Sequence, residues 1–125
     1  MKILIVDDDP CVRDTVGAML TQAGHPIQKV PDAQRALAVL RHRAPDLVIT
    51  DIRMPGLTGL DLCRAVKNLY PDLPVIGMSG HATDEVEVRE GLLDGFLQKP
   101  FGLADLLDKV EEVRRSRLWS TEIKS

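Results

Sequence analysis

Apolar and polar positions alternate along the chain in blocks, and the blocks define its elements. "KILIV" (Lys2–Val6) is a short run of β-branched and aliphatic residues, expected as a buried strand. "DDDP" breaks it. Asp9 suits a helix N-cap and Pro10 the first helical position. Val12, Val16, Met19, Leu20 and Ala23 then recur at helical spacing up to Gly24, which is placed to end the helix. "PIQKV" (Pro26–Val30) is expected as a second strand. Asp32 can cap a second helix that turns Ala33, Ala36, Leu37 and Leu40 to one side. "DLVIT" (Asp46–Thr50) is a third strand. A third helix is expected from about Thr58 to Leu69, with Leu62, Cys63, Val66 and Leu69 inward. "PVIGMS" (Pro74–Ser79) is a fourth strand. A polar segment, Asp84–Glu90, carries only Val86 and Val88 as apolar residues and is the weakest helix of the set. "GFLQ" (Gly95–Gln98) is a fifth strand, and the last helix carries Leu103, Leu106, Leu107, Val110 and Val113 before a polar tail.

Five strands thus alternate with five helices. The first, third and fourth strands are continuous apolar runs, as strands covered on both faces are. Short connections between alternating strands and helices imply a parallel sheet with helices on both sides. The expectation is one α/β domain, doubly wound: a five-stranded parallel sheet flanked by five helices. The domain is taken as residues 1–117, with 118–125 as a polar C-terminal tail.

Composition narrows the function without naming it. The 125 residues are 44% hydrophobic and 28% charged, enough for one real core. A net charge of −3 and only 3% aromatic residues offer nothing for nucleic acid or an anionic membrane surface. No apolar run approaches membrane-spanning length, and no signal peptide is visible, so a cytoplasmic location is expected. Cys11 and Cys63 read as small apolar helix residues. His25, His42 and His81 are scattered with no metal-binding spacing.

In open α/β sheets, ligands bind beyond the carboxyl ends of the strands. Asp7, Asp8 and Asp9 follow the first strand, Asp51 ends the third, Ser79 ends the fourth, and Lys99 and Pro100 follow the fifth. Singly, each has an ordinary reading as a cap, a turn hydroxyl or a solvated lysine. Jointly they converge on one edge. Two unit charges about 4 Å apart cost roughly 4 kcal/mol at a surface-like dielectric. Lys99 offsets part of that repulsion. A hard divalent cation such as Mg²⁺ would offset the rest and leave coordination positions for phosphate oxygens. Asp51 is then a candidate nucleophile that would form an acyl phosphate, with Ser79 donating to the phosphoryl group.

"ILIVDDDP", "DLVITDIRMPGLTGLDL", "LPVIGMSGH" and "FLQKPF", in this order and spacing, resemble the receiver domain of two-component response regulators (the CheY-like superfamily) from Lys2 to about Arg115. "PDLPVIGMSGH" and "GFLQKPF" are similar in style to receivers of hybrid histidine kinases. The resemblance implies a flavodoxin-like (βα)5 fold and a Mg²⁺ cofactor. It implies that Asp51 is the phosphoacceptor and a metal ligand, and that Asp8 ligates the metal directly. Asp7 would act through water or from behind, and the backbone carbonyl of Arg53 would complete the set. Ser79 and Lys99 would contact the phosphoryl group, the Lys99–Pro100 bond would be cis, and Phe96 would be the switch aromatic. "MPG" would bend the chain away so that Asp51 is presented, and Gly59 would let the third helix start close by.

The implied partner is a histidine kinase or a histidine phosphotransfer protein. Phosphorylation would switch the face of the fourth helix, fifth strand and fifth helix toward a homodimer or a downstream protein, without nucleic acid or membrane. The chain would be a signalling phosphoacceptor that catalyses only its own phosphorylation and dephosphorylation. It departs from the pattern at Gly80, where many receivers have Ala, and at "EGLLDGF" before the fifth strand. Arg53 and His81 stand where the family tunes dephosphorylation. With no further domain expected after Val113, the chain reads as a free-standing or excised receiver. The alternative is a receiver-fold interaction module that works without phosphorylation, which the full set of key positions argues against. An aspartate-dependent phosphatase needs a second Asp at the position of Arg53, and no Gly-rich loop follows the first strand to hold a nucleotide.

Overall fold

The structure, a computed structural model, describes residues 1–80 and 93–124. Its elements are β1 (Ile3–Val6), α1 (Pro10–Gln22), β2 (Ile27–Val30), α2 (Ala33–His42), β3 (Leu47–Asp51), α3 (Gly59–Leu69), β4 (Val75–Ser79), β5 (Gly95–Gln98) and α4 (Leu103–Lys124). The helix expected over Asp84–Glu90 lies outside the described residues. The five strands form one parallel sheet in the order β2-β1-β3-β4-β5. This is the doubly wound parallel sheet read from the alternation of elements, in the flavodoxin-like form that the resemblance implied.

Burial separates the centre of the sheet from its edges. Every residue of β1, β3 and β4 is buried, whereas the edge strands β2 and β5 expose two and one residues respectively. Because successive side chains on a strand point to opposite faces, the buried runs feed two cores. Leu4, Val6, Val48 and Val75 pack with Ala36 and Leu40 of α2 and Leu62, Cys63 and Val66 of α3. Ile3, Ile5, Ile49, Ile76 and Met78 pack with Val16 and Leu20 of α1 and Leu106, Val110 and Val113 of α4.

The helices start where their caps stand. The Asp9 carboxylate accepts from the Cys11 N–H, and the Asp32 carboxylate from the Arg35 N–H at 2.7 Å. Thr58 and Asp61 form a reciprocal capping box on α3. Gly24 ends the first helical segment at φ +94.

Three expectations about the core are corrected. Leu69 is 60% exposed, because Tyr70 turns in behind it and donates its hydroxyl to the Leu40 carbonyl. Leu103 is 40% exposed; Phe101 packs onto the second core instead. Ala23 is exposed beyond the end of α1, while Gly17 takes an inner position, where a Cβ would lie 2.9 Å from the Ile27 side chain. The polar residues after Val113 do not leave the helix: α4 runs unbroken to Lys124, through most of the segment read as a tail.

Candidate functional site

Strand register assembles the site. β1 lies between β2 and β3, so the chain reverses its direction of winding between β1 and β3, and a crevice opens at their carboxyl ends. Val6 pairs with Thr50, which brings Asp7 and Asp51 side by side one residue further on. Asp51 pairs in turn with Met78, and Ser79 with Gln98, so Ser79 and Lys99 reach the same edge.

The loop after β3 presents Asp51. The Ile52 N–H donates to the Met78 carbonyl and the Gly59 N–H to the Ile52 carbonyl, folding residues 52–59 into a tight return. Gly56 in this return has φ +76. A Cβ on Gly59 would come within 2.1 Å of the Asp51 carbonyl oxygen, so only glycine lets α3 begin this close to the strand. The buried Thr50 hydroxyl donates to that same carbonyl at 3.0 Å.

Asp7, Asp8 and Asp51 each offer a carboxylate oxygen, and these atoms lie within 4.8 Å of one another. Asp7 is fully buried, Asp51 is 7% exposed and Asp8 is exposed. Lys99 bridges the two buried acids, with its Nζ 3.0 Å from Asp7 Oδ2 and 3.4 Å from Asp51 Oδ1. The other Asp7 oxygen accepts from the Asp9 N–H at 2.9 Å. Ser79 is buried at the end of β4, and its carbonyl accepts from the Lys99 N–H at 2.7 Å. The Lys99–Pro100 bond is cis.

The charges do not balance. Burial, and then the Asp7 carboxylate, push the Asp51 carboxyl above its usual value; Lys99 and the Arg53 N–H pull it back only in part. Burial acts to lower the Lys99 ammonium, but its hydrogen bond to Asp7 and the attraction of both acids outweigh it and hold Lys99 raised. Among the described residues, one ammonium thus serves a cluster of three carboxylates, all hard oxygen donors. That donor set suits a divalent cation.

The sequence-derived residues Asp7, Asp8, Asp51 and Lys99 are brought together, with Ser79 on the adjoining strand. Arg53 is exposed beside them, and its N–H donates to the Asp51 carboxylate. Phe96 is half-buried on the edge strand β5. Cys63 is buried and its thiol is pushed up to about 11, consistent with an inert core residue. His81 lies outside the described residues. The sequence reading missed the buried Thr50 and also Arg13, whose guanidinium donates to the Asp7 carbonyl at 2.8 Å. The only signal for Arg13 was its place in the first turn of the helix after the acidic run.

Residues 3–111 match the family model described as the response regulator receiver domain. The chain belongs to that family. Receiver domains of known structure share the fold seen here. That of NtrX from Brucella abortus superposes with a TM-score of 0.82 at 39% identity, over 89% of this chain and 96% of that one. The chemotaxis response regulator CheY4 of Vibrio cholerae gives 0.83 at 28% identity, over 90% and 97%. The response regulator MprA of Mycobacterium sp. (strain KMS) is 34% identical over 119 residues. Those residues are 92% of this chain and 51% of MprA, so this receiver domain spans about half the length of the curated relatives it matches. Membership of the family supports a phosphoacceptor role in two-component signalling, for which histidine kinases are the general partners. Among the described residues, no helix is long and apolar enough to cross a membrane.

Proposed function

We propose that the chain is a Mg²⁺-dependent phosphoacceptor, with Asp51 as the residue that takes the phosphoryl group from a phosphohistidine on a histidine kinase or histidine phosphotransfer protein. The observation that carries this reading is the imbalance at the crevice: three carboxylates within 4.8 Å and one bridging ammonium. When bound, Mg²⁺ neutralises charge on the carboxylates and on phosphoryl oxygens. Asp8, Asp51 and the Arg53 carbonyl would hold it directly. Both oxygens of Asp7 already accept hydrogen bonds, from the Asp9 N–H and Lys99, which suits a water-mediated role.

In the transfer, an Asp51 carboxylate oxygen attacks phosphorus while the P–N bond to the donor imidazole breaks, and the nitrogen keeps the electron pair. Lys99, now 3.4 Å from Asp51, pairs with the charge that arrives there. The Ser79 hydroxyl donates to a phosphoryl oxygen. Water later cleaves the acyl phosphate and returns the carboxylate, so the chain turns over its own phosphate and nothing else. The functional unit is residues 1–117, with 118–125 appended to it. The phosphorylated state would be read by a second copy or a downstream protein at the face that includes β5 and α4, with Phe96 moving inward.

Intact-mass measurement with acetyl phosphate, with and without Mg²⁺, tests the site. The expected result is a Mg²⁺-dependent gain of one phosphoryl group in the wild type and none in Asp51→Ala. Labelling that persists in Asp51→Ala would overturn the assignment of Asp51. A wild type that neither gains mass nor binds Mg²⁺ would favour the phosphate-independent interaction module.

A further inference from the structure

The three acids differ in how they are held. Asp7 is fixed through both carboxylate oxygens, by Lys99 and by the Asp9 N–H. Asp51 is fixed by Lys99 and the Arg53 N–H. The Asp8 side chain is exposed and has no hydrogen bond or ion pair among the described residues. Its position therefore depends on its backbone, which the rigid peptide plane shared with Asp7 sets. The carbonyl of that peptide accepts from Arg13 Nη1 at 2.8 Å, and the Asp7 N–H donates to the Val30 carbonyl at 3.2 Å. Arg13 is half-buried and reaches back from the first turn of α1, where its own N–H donates to the Asp9 carbonyl. It makes no ion pair among the described residues, and it is not among the groups that shift the Asp51 carboxyl in either direction.

We propose that Arg13 is a positioning residue for the metal site: by holding the Asp7 carbonyl it fixes the Asp7–Asp8 peptide and so aims the Asp8 carboxylate at the cation. This role rests on the Mg²⁺-dependent phosphoacceptor reading above. It acts through geometry, and its sign separates it from plain electrostatics. A guanidinium beside a dication site repels the dication. Removing it would tighten Mg²⁺ binding if charge were the whole effect, and would weaken binding if aiming Asp8 is what matters.

The test is calorimetric titration of Mg²⁺ into wild type, Arg13→Met and Arg13→Lys, with thermal melts in chelator as the check on folding. Arg13→Met keeps the apolar stem and removes the donor and the charge. It is expected to weaken Mg²⁺ binding roughly tenfold, the low end for loss of a group that orients a metal ligand. Arg13→Lys restores a donor and is expected to recover most of that affinity. Acetyl phosphate labelling of Arg13→Met should be slow at limiting Mg²⁺ and near wild type at saturating Mg²⁺. Equal or tighter binding by Arg13→Met, with normal binding by the wild type, would overturn the role of Arg13 and leave the phosphoacceptor reading intact. A wild type that binds no Mg²⁺ would overturn both. If Arg13→Met does not fold in chelator, Arg13→Gln decides by the same titration: weaker binding supports the role, and equal or tighter binding overturns it.

Discussion

The two ends of the sheet each hold a carboxylate against a lysine, and they are built on opposite terms. At the amino end of β4, Asp94 accepts from Lys67 Nζ at 2.7 Å and from the Val75 N–H at 2.8 Å, while its own N–H donates to the Val75 carbonyl. One carboxylate meets one ammonium and one amide, and the group is complete. At the carboxyl end, Lys99 stands between Asp7 and Asp51 with Asp8 close by, and negative charge is left over. Both lysines are about equally shielded, at 26% and 24% side-chain exposure. Shielding of the lysines therefore does not separate the two clusters, although the acids differ, at 29% side-chain exposure for Asp94 against 0% for Asp7 and 10% for Asp51. Charge balance separates them further: the first group closes on itself and locks β5 to β4 and α3, whereas the second keeps surplus negative charge among the described residues. A surplus of buried charge costs stability, and its persistence at a sheet's ligand-binding edge points to function.

Substituting each lysine by Met should break the comparison most sharply. Lys99→Met leaves the fully buried Asp7 carboxylate with no cationic partner among the described residues, so the metal-free protein is expected to lose about 3 kcal/mol in urea unfolding. Mg²⁺ should restore more of that loss than it adds to the wild type, since binding to the folded state alone stabilises it. Lys67→Met leaves Asp94 with its amide donor and is expected to cost only about 1 kcal/mol, by the same amount with or without Mg²⁺. Equal losses from the two variants, or equal rescue by Mg²⁺, would remove the distinction between the two ends.

The smallest effect should come from Asp51→Asn in chelator. Asp51 has a raised folded-state pKa, so the folded protein binds more protons than the unfolded chain over the interval that begins near the ordinary aspartate value of 3.8 and extends upward. Its contribution to stability is greatest below that interval and falls as pH rises through it. Asp51→Asn removes the penalty of the charged form. It should raise the melting temperature by a few degrees at neutral pH, with the gain shrinking as pH falls toward and below 3.8. A gain that is constant with pH would mean that Asp51 ionisation is not under strain in the metal-free fold.

Much of the site was legible because its residues sit at strand ends, and strand ends show in a sequence as the point where an apolar run stops. "KILIV" ends at Asp7, "DLVIT" at Asp51 and "PVIGMS" at Ser79, and the structure keeps all three at the carboxyl edge. Arg13 was not legible as part of the site, because a side chain-to-carbonyl bond leaves no pattern of periodicity or charge. Leu69 and Leu103 misled because helical spacing says which face a residue is on but not how far the partner surface extends beneath it. The continuation of α4 to Lys124 was missed for a related reason. The apolar spacing of the last helix is followed only to Val113, but backbone hydrogen bonding in a helix does not need an apolar face to continue.

The sequence by itself determined the order of strands and helices, the double covering of the central strands and the polar residues at the ends of β1, β3 and β4. Those follow from local pattern, since burial on two faces demands unbroken apolar runs and their termination marks the edge. The tertiary structure decided the rest. Pairing register set the adjacency of Asp7 and Asp51, the reach of Lys99 to both, and the unequal tethering of the three acids. These depend on how strands far apart in the chain align, and that alignment comes from packing two cores at once.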